Sequence, residues 1–186
     1  MKLQRTTWGL LMAALVLGGG VYFYEMIVRS YQTEVVARQR KVIDLKEQDI
    51  QEITIEKEGR TLQFERVEAE TYNWRMVKPQ EEIANDAAIA FLTNLLVEKE
   101  RDRMFLIAAE EKDTYGLEEP FATLTLKVAG EDHTLILGRP NFDQKWVYAQ
   151  INPPSETPEE LEVTLIPIEF RYAVERDLNE WRRSSR

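Results

Sequence analysis

Glu52–Arg66 reads EITIEKEGRTLQFER, and its periodicity decides the fold. Ile53 and Ile55 alternate with polar residues, Glu58-Gly59 interrupts, and Leu62 and Phe64 alternate again. Successive side chains of a strand point to opposite faces, so a period of two around a glycine turn predicts a β-hairpin with one apolar face. Asn73–Lys78 (NWRMVK) carries Trp74 and Met76 on one face and stops at Pro79, which predicts a third antiparallel strand. The same grammar returns later. Ala122–Val128 (ATLTLKV) sets Leu124, Leu126 and Val128 on one face, and Ala129–Asp132 turns around Gly130. His133–Leu137 (HTLIL) then runs back, and Lys145–Ile151 (KWVYAQI) follows as another strand. Each half thus offers a hairpin and a further strand, a hint of internal duplication despite poor residue-level similarity.

Helices sit near the seams. Asn85 or Asp86 is a good N-cap, and Ile89, Leu92, Leu95 and Leu96 recur at helical spacing beyond it. Arg103–Ala108 (RMFLIA) reads as a short strand, and Glu110–Thr114 as one helical turn closed by Tyr115-Gly116-Leu117 and Pro120. Asn152–Pro158 (NPPSETP) is a rigid, exposed connector to a short strand at Val163–Ile166. The last helix is expected over residues 168–182, with Phe170, Val174, Leu178 and Trp181 on one face. The fold class expected for residues 44–186 is α+β, with small antiparallel sheets built from hairpins and helices packed on one face.

Ahead of this domain, Trp8–Val28 reads WGLLMAALVLGGGVYFYEMIV. About 20 apolar residues in a helix span a hydrocarbon core of about 30 Å, so residues 1–28 read as a single-pass transmembrane anchor. Glu25 alone breaks the run, near one end. A cleaved signal peptide is the competing reading. Lys2 and Arg5 suit it, but Tyr22-Phe23-Tyr24-Glu25-Met26 lacks the small residues of a cleavage site. Trp8, Tyr22 and Tyr24 fit an interfacial aromatic belt, and Gly18-Gly19-Gly20 forms a small-residue stripe on which a partner helix can seat. Residues 29–43 continue as a basic helical stalk. Counting lysine and arginine alone tilts the domain inward, yet long domains translocate largely regardless of charge and a short basic N-terminus stays in the cytoplasm. The soluble domain is therefore expected outside the cytoplasm, on a plasma or thylakoid membrane.

Composition narrows the function. The chain has 186 residues and a net charge of −9, which speaks against nucleic acid as a partner because phosphate binding needs a basic face. The absence of cysteine excludes disulfides, thiol chemistry and cysteine metal sites. His133 is the single histidine and lies beside Glu131 and Asp132, where a surface role is the plain reading. The serines are few and none stands in a nucleophile elbow. The acidic runs lack the alternating oxygen-ligand spacing of a calcium loop. No catalytic residue, cofactor or metal site is expected. Phe142, Trp146 and Trp181 are the candidate interface aromatics.

Taken in order, the hairpin, the NWRMVKP strand, the helix, the turn Tyr115-Gly116-Leu117-x-x-Pro120, the TLTLKV strand, the Leu137-Gly138 step and the WVYAQI strand resemble a known family. The chain is similar to the bacterial family called domain of unknown function 4340, most of all its short, single-copy cyanobacterial members. The resemblance covers most of residues 44–151, and the Tyr-Gly-Leu-x-x-Pro turn is its most specific part. It implies an extracytoplasmic domain with an accessory role, some relatives being linked to gliding-type ABC export systems, and it supplies no catalytic residues.

Two functions follow as expectations. The first is a non-catalytic accessory or assembly subunit of a larger membrane complex, an ABC-type transporter or a photosynthetic or respiratory assembly, partnered by an integral membrane protein. The second is an extracytoplasmic binding module for a soluble ligand such as a glycan or peptide, which needs a concave pocket with convergent polar groups. The anchor and topology have a direct test. N-terminal sequencing of the membrane-bound protein is expected to begin at or near Met1, and protease added to intact spheroplasts is expected to degrade the domain; digestion only after lysis reverses the topology.

Overall fold

The computed structural model describes residues 41–156 and 158–184. The hairpin at its head is β1 (Ile50–Lys57) and β2 (Arg60–Arg66), paired antiparallel with Ile53 opposite Phe64 and Ile55 opposite Leu62. Glu58 and Gly59 both take positive φ, 50° and 72°, the handedness that lets a two-residue turn match the twist of its strands. Ala129 and Gly130 do the same, at 51° and 88°, between β6 (Ala122–Val128) and β7 (Glu131–Pro140). The other strands are β3 (Trp74–Lys78), β4 (Glu82–Ile83), β5 (Met104–Ala108), β8 (Trp146–Ile151) and β9 (Glu160–Pro167). Two α-helices are described, α1 (Asp86–Glu98) and α2 (Glu169–Val174), with short 3₁₀ segments at Glu47–Asp49, Ala109–Tyr115 and Leu178–Trp181.

All nine strands belong to one antiparallel sheet in the order β4-β3-β2-β1-β6-β7-β8-β9-β5. This corrects the expected α+β fold of small separate sheets: the described domain is one large sheet with few helices. The cause is the β1–β6 ladder, in which Ile53 faces Leu126 and Ile55 faces Leu124. It fuses two hairpins that local periodicity shows only one at a time. The halves do share their grammar. Each is a four-strand meander followed by a helix, and Ile53 and Leu124, Ile55 and Leu126, and Phe64 and Leu135 hold corresponding buried places.

The core lies on one face of this sheet, under the helices. Ile53, Ile55, Phe64, Met76, Leu124, Leu126, Leu135 and Val147 are buried there against Ile89, Leu92 and Leu96 of α1 and Phe170 and Val174 of α2. Asn85 caps α1, its side-chain oxygen accepting from Ala87 N–H at 3.1 Å while its amide nitrogen donates to Glu180 C=O at 2.9 Å. The opposite face is mostly polar and carries a second, smaller cluster of Ile107, Leu117, Leu161 and Val163 at the β5 end.

Two boundaries move. The last helix does not run from 168 to 182. It closes at Val174, and Asp177 is extended (φ −67°, ψ 152°) with its N–H bonded to a Glu180 carboxylate oxygen at 2.9 Å. That break swings Trp181 onto Phe64, ring centroids 5.2 Å apart. The domain also starts earlier than residue 44, since Val42 and Ile43 are buried in the core and Lys41 bridges to Glu100. The expected anchor, the Gly18-Gly19-Gly20 stripe and the stalk before residue 41 lie outside the described residues. Among the described residues no helix is long and apolar enough to cross a membrane.

Leu92 and Leu126 are both fully buried, one on α1 and one on β6. Leu92→Ala or Leu126→Ala is expected to cost about 2–5 kcal/mol through lost burial and the cavity left behind. Chemical denaturation of each variant checks this, and a loss below about 1 kcal/mol at both sites would contradict the assigned face.

Candidate functional site

The most specific motif of the sequence turns out to be a packing device. Gly116 ends the 3₁₀ segment with φ 69°, a left-handed position that suits glycine, and its N–H donates to Asp113 C=O at 3.0 Å. This turn lies on the Leu137-Gly138-Arg139 stretch of β7. A side-chain carbon on Gly138 would collide with the Tyr115 carbonyl oxygen, and one on Gly116 would meet Arg139 N. Arg139 Nη2 donates to Asp113 C=O, and Phe121 N–H donates to Leu137 C=O at 2.8 Å. The β7–β8 register shifts at the same place, between Leu137 and Pro140. Tyr115 then packs edge-on against Tyr148, 4.9 Å between ring centroids, and both rings contact Phe105. The Tyr-Gly-Leu turn and the Leu-Gly step are thus two sides of one contact that closes the second cluster.

The three candidate interface aromatics have three different fates. Trp181 is fully buried against Phe64, so it serves the core. Trp146 is half-buried and closes the base of the β7–β8 loop, its backbone held by Asn141: Asn141 N–H donates to Trp146 C=O at 2.8 Å, and Trp146 N–H to the Asn141 side-chain Oδ1 at 3.2 Å. Phe142, on that loop, is 103% exposed. His133 is half-buried on β7, with its Nδ1 3.4 Å from Asn152 Nδ2. Among the described residues no group of three or more His, Asp or Glu side chains is placed to hold a metal ion.

Two features escaped the sequence reading. The first is the outer edge of β5. Its inner side pairs with β9 along Met104–Ala108, and its outer side has no strand partner among the described residues. Met104 and Leu106 stand 52% and 62% exposed on it. The signal was present, because RMFLIA is apolar at both alternating sets and only Ile107 is buried, but periodicity does not tell an edge strand from a central one. The opposite edge differs: Ala84, just after β4, bridges to Arg182, and Arg183 N–H donates to Ile83 C=O at 3.0 Å.

The second feature is a pocket of about 640 Å³ between the β1–β2 turn, the end of β3 and the chain leaving α2. Ile55, Leu62, Val174 and Leu178 form its apolar wall, and Lys57, Arg60, Lys78 and Arg176 bring four cations to it. They come from three separate segments, the β1–β2 turn, the end of β3 and the chain beyond α2, so no spacing announces them.

No family model, no curated protein and no solved structure matches the chain. The family resemblance therefore rests on the motif residues themselves, and the geometry above accounts for the most specific of them by packing.

That account has a direct check. Gly138→Ala is expected to destabilise the domain by about 1–3 kcal/mol, the range of an overpacked site, because the Tyr115 carbonyl must move. Gly59→Ala meets open space and carries only the positive-φ penalty of about 1–2 kcal/mol. Near-ultraviolet circular dichroism separates the two: Gly138→Ala is expected to perturb the tyrosine signal of the Tyr115–Tyr148 contact, and Gly59→Ala to leave it unchanged.

Proposed function

We propose that the chain is a non-catalytic, membrane-anchored accessory or assembly subunit that acts by protein–protein contact within a larger membrane complex, of the ABC-transport or photosynthetic/respiratory kind. In this reading residues 8–28 anchor it, Gly18-Gly19-Gly20 pack against a helix of an integral membrane partner, and the domain works outside the cytoplasm. The observation that carries the proposal is the β5 edge. An unpaired strand edge presents a row of free N–H and C=O groups, and proteins normally blunt such an edge with charge, proline or a covering element. Here the edge strand carries exposed Met104 and Leu106, and of its N–H groups that of Ala108 is taken up by Glu111 Oε2 at 3.2 Å. A partner strand can add there through main-chain hydrogen bonds, its selectivity set by alternate side chains. Phe142 supplies a second apolar contact on the same domain. Tethering raises the effective concentration of the domain near its partner, so each contact can be weak.

The test is affinity purification of the full-length protein in mild detergent. Met104→Lys with Leu106→Glu, and separately Gly18, Gly19 and Gly20 changed to leucine, are expected to reduce recovery of the same partner by about tenfold, equivalent to about 1.4 kcal/mol of binding. The unfolding midpoint of the edge variant is expected to stay near that of the parent, since both positions are exposed. A full-length protein that purifies alone would overturn the proposal.

A further inference from the structure

We infer that the pocket between the β1–β2 turn and the end of α2 binds a small organic anion, a carboxylate or phosphate group carried on an apolar body. Its volume of about 640 Å³ falls within the range of small-molecule sites, roughly 300–1,000 Å³. Its two walls differ in chemistry. Ile55, Leu62, Val174 and Leu178 offer a continuous apolar surface at the margin of the core. Also lining the pocket are Lys57 at the end of β1, Arg60 at the start of β2, Lys78 at the end of β3 and Arg176 just beyond α2. None of the four makes an ion pair or a side-chain hydrogen bond among the described residues.

Four unpaired cations at one place stand out in a chain of net charge −9. Of the acids at the pocket, Glu175 is engaged by Arg171 Nη2 at 3.8 Å, which leaves Glu58 and Asp177 against the four. Two of the cations rest against aromatic rings that border the pocket without lining it, which leaves Arg60 and Lys78 as the two without any partner among the described residues. The Arg176 guanidinium lies 5.2 Å from the Phe91 ring centre, and the Lys57 ammonium 4.9 Å from that of Phe121. Arg176 Nε is buried with no hydrogen-bond partner among the described residues. Guanidinium and ammonium groups both form short, charge-assisted hydrogen bonds with carboxylate and phosphate oxygens. The apolar wall then takes up the body of the ligand. The pocket shares no residue with the β5 edge or with Phe142, so this inference stands apart from the docking role.

The experiment uses the full-length protein in nanodiscs of neutral phosphatidylcholine, titrated with phenyl phosphate, benzoate and the uncharged benzyl alcohol, with empty nanodiscs as the blank. Saturable binding of at least one anion is expected, at least about tenfold tighter than benzyl alcohol and weakened by added salt. Whichever anion binds better identifies the head group. Arg60→Gln with Lys78→Gln is expected to weaken that binding about tenfold while leaving the unfolding midpoint unchanged, because both side chains are exposed. The inference is overturned if neither anion saturates, if benzyl alcohol binds as well as the anions, or if the double variant binds them unchanged.

Discussion

The β1–β6 ladder is the pairing on which the rest of the structure depends. It joins residues far apart in the chain, Ile53 with Leu126 and Ile55 with Leu124, at the middle of the nine-strand order. Closing so long a loop costs chain entropy, and the return comes only when the two hairpins share one apolar face. Once it forms, Phe64, Ile53, Leu126 and their neighbours make a single floor wide enough for α1 and α2 together. Neither hairpin alone has the area to be independently stable, since a two-stranded sheet is marginal in water.

That shared floor explains the asymmetry of the sheet. Along one row of pairs, Gln63, Thr54, Thr125 and Thr134 stand side by side on the face away from the helices. Threonine satisfies the strand's preference for β-branched side chains while keeping a hydroxyl for solvent. Gln63 Nε2 donates to Glu52 Oε1 at 2.8 Å on this face. Only near β5 does the second face turn apolar, and there Tyr115 at the end of the 3₁₀ segment and Leu117 just beyond it pack over it. The requirement that Gly138 lack a side chain follows from that packing, because the Tyr115 carbonyl occupies the space.

The functional features lie where the sheet stops covering itself. At one end the chain's last described residues run beside Ala84 and Ile83, while at the other β5 keeps a bare outer edge. The pocket forms where α2 is too short to reach the β1–β2 turn. A helix that ends at Val174 and turns at Asp177 leaves an apolar recess, lined by cations from three places in the chain. A helix continued to residue 182, as its periodicity predicts, would not place Arg176 and Asp177 in that turn.

Much of the local structure was legible in the sequence. The alternation in EITIEKEGRTLQFER and ATLTLKV placed both hairpins and their inward residues, and the Asn85-Asp86 pair marked the start of α1 to within a residue, because strand pleat, turn handedness and helix capping depend on neighbours within a few residues. The Phe170, Val174, Leu178, Trp181 pattern also marked an inward face, with Leu178 only partly buried, while hiding the break within it, since a bent chain can bury the same residues as a straight helix. What only the tertiary structure decided was which strands meet: one sheet in place of several, β5 as an edge, Phe142 as surface, and cations from three segments around one recess. Those outcomes depend on pairings between distant segments, and a strand's own residues carry its period but not the identity of its neighbour.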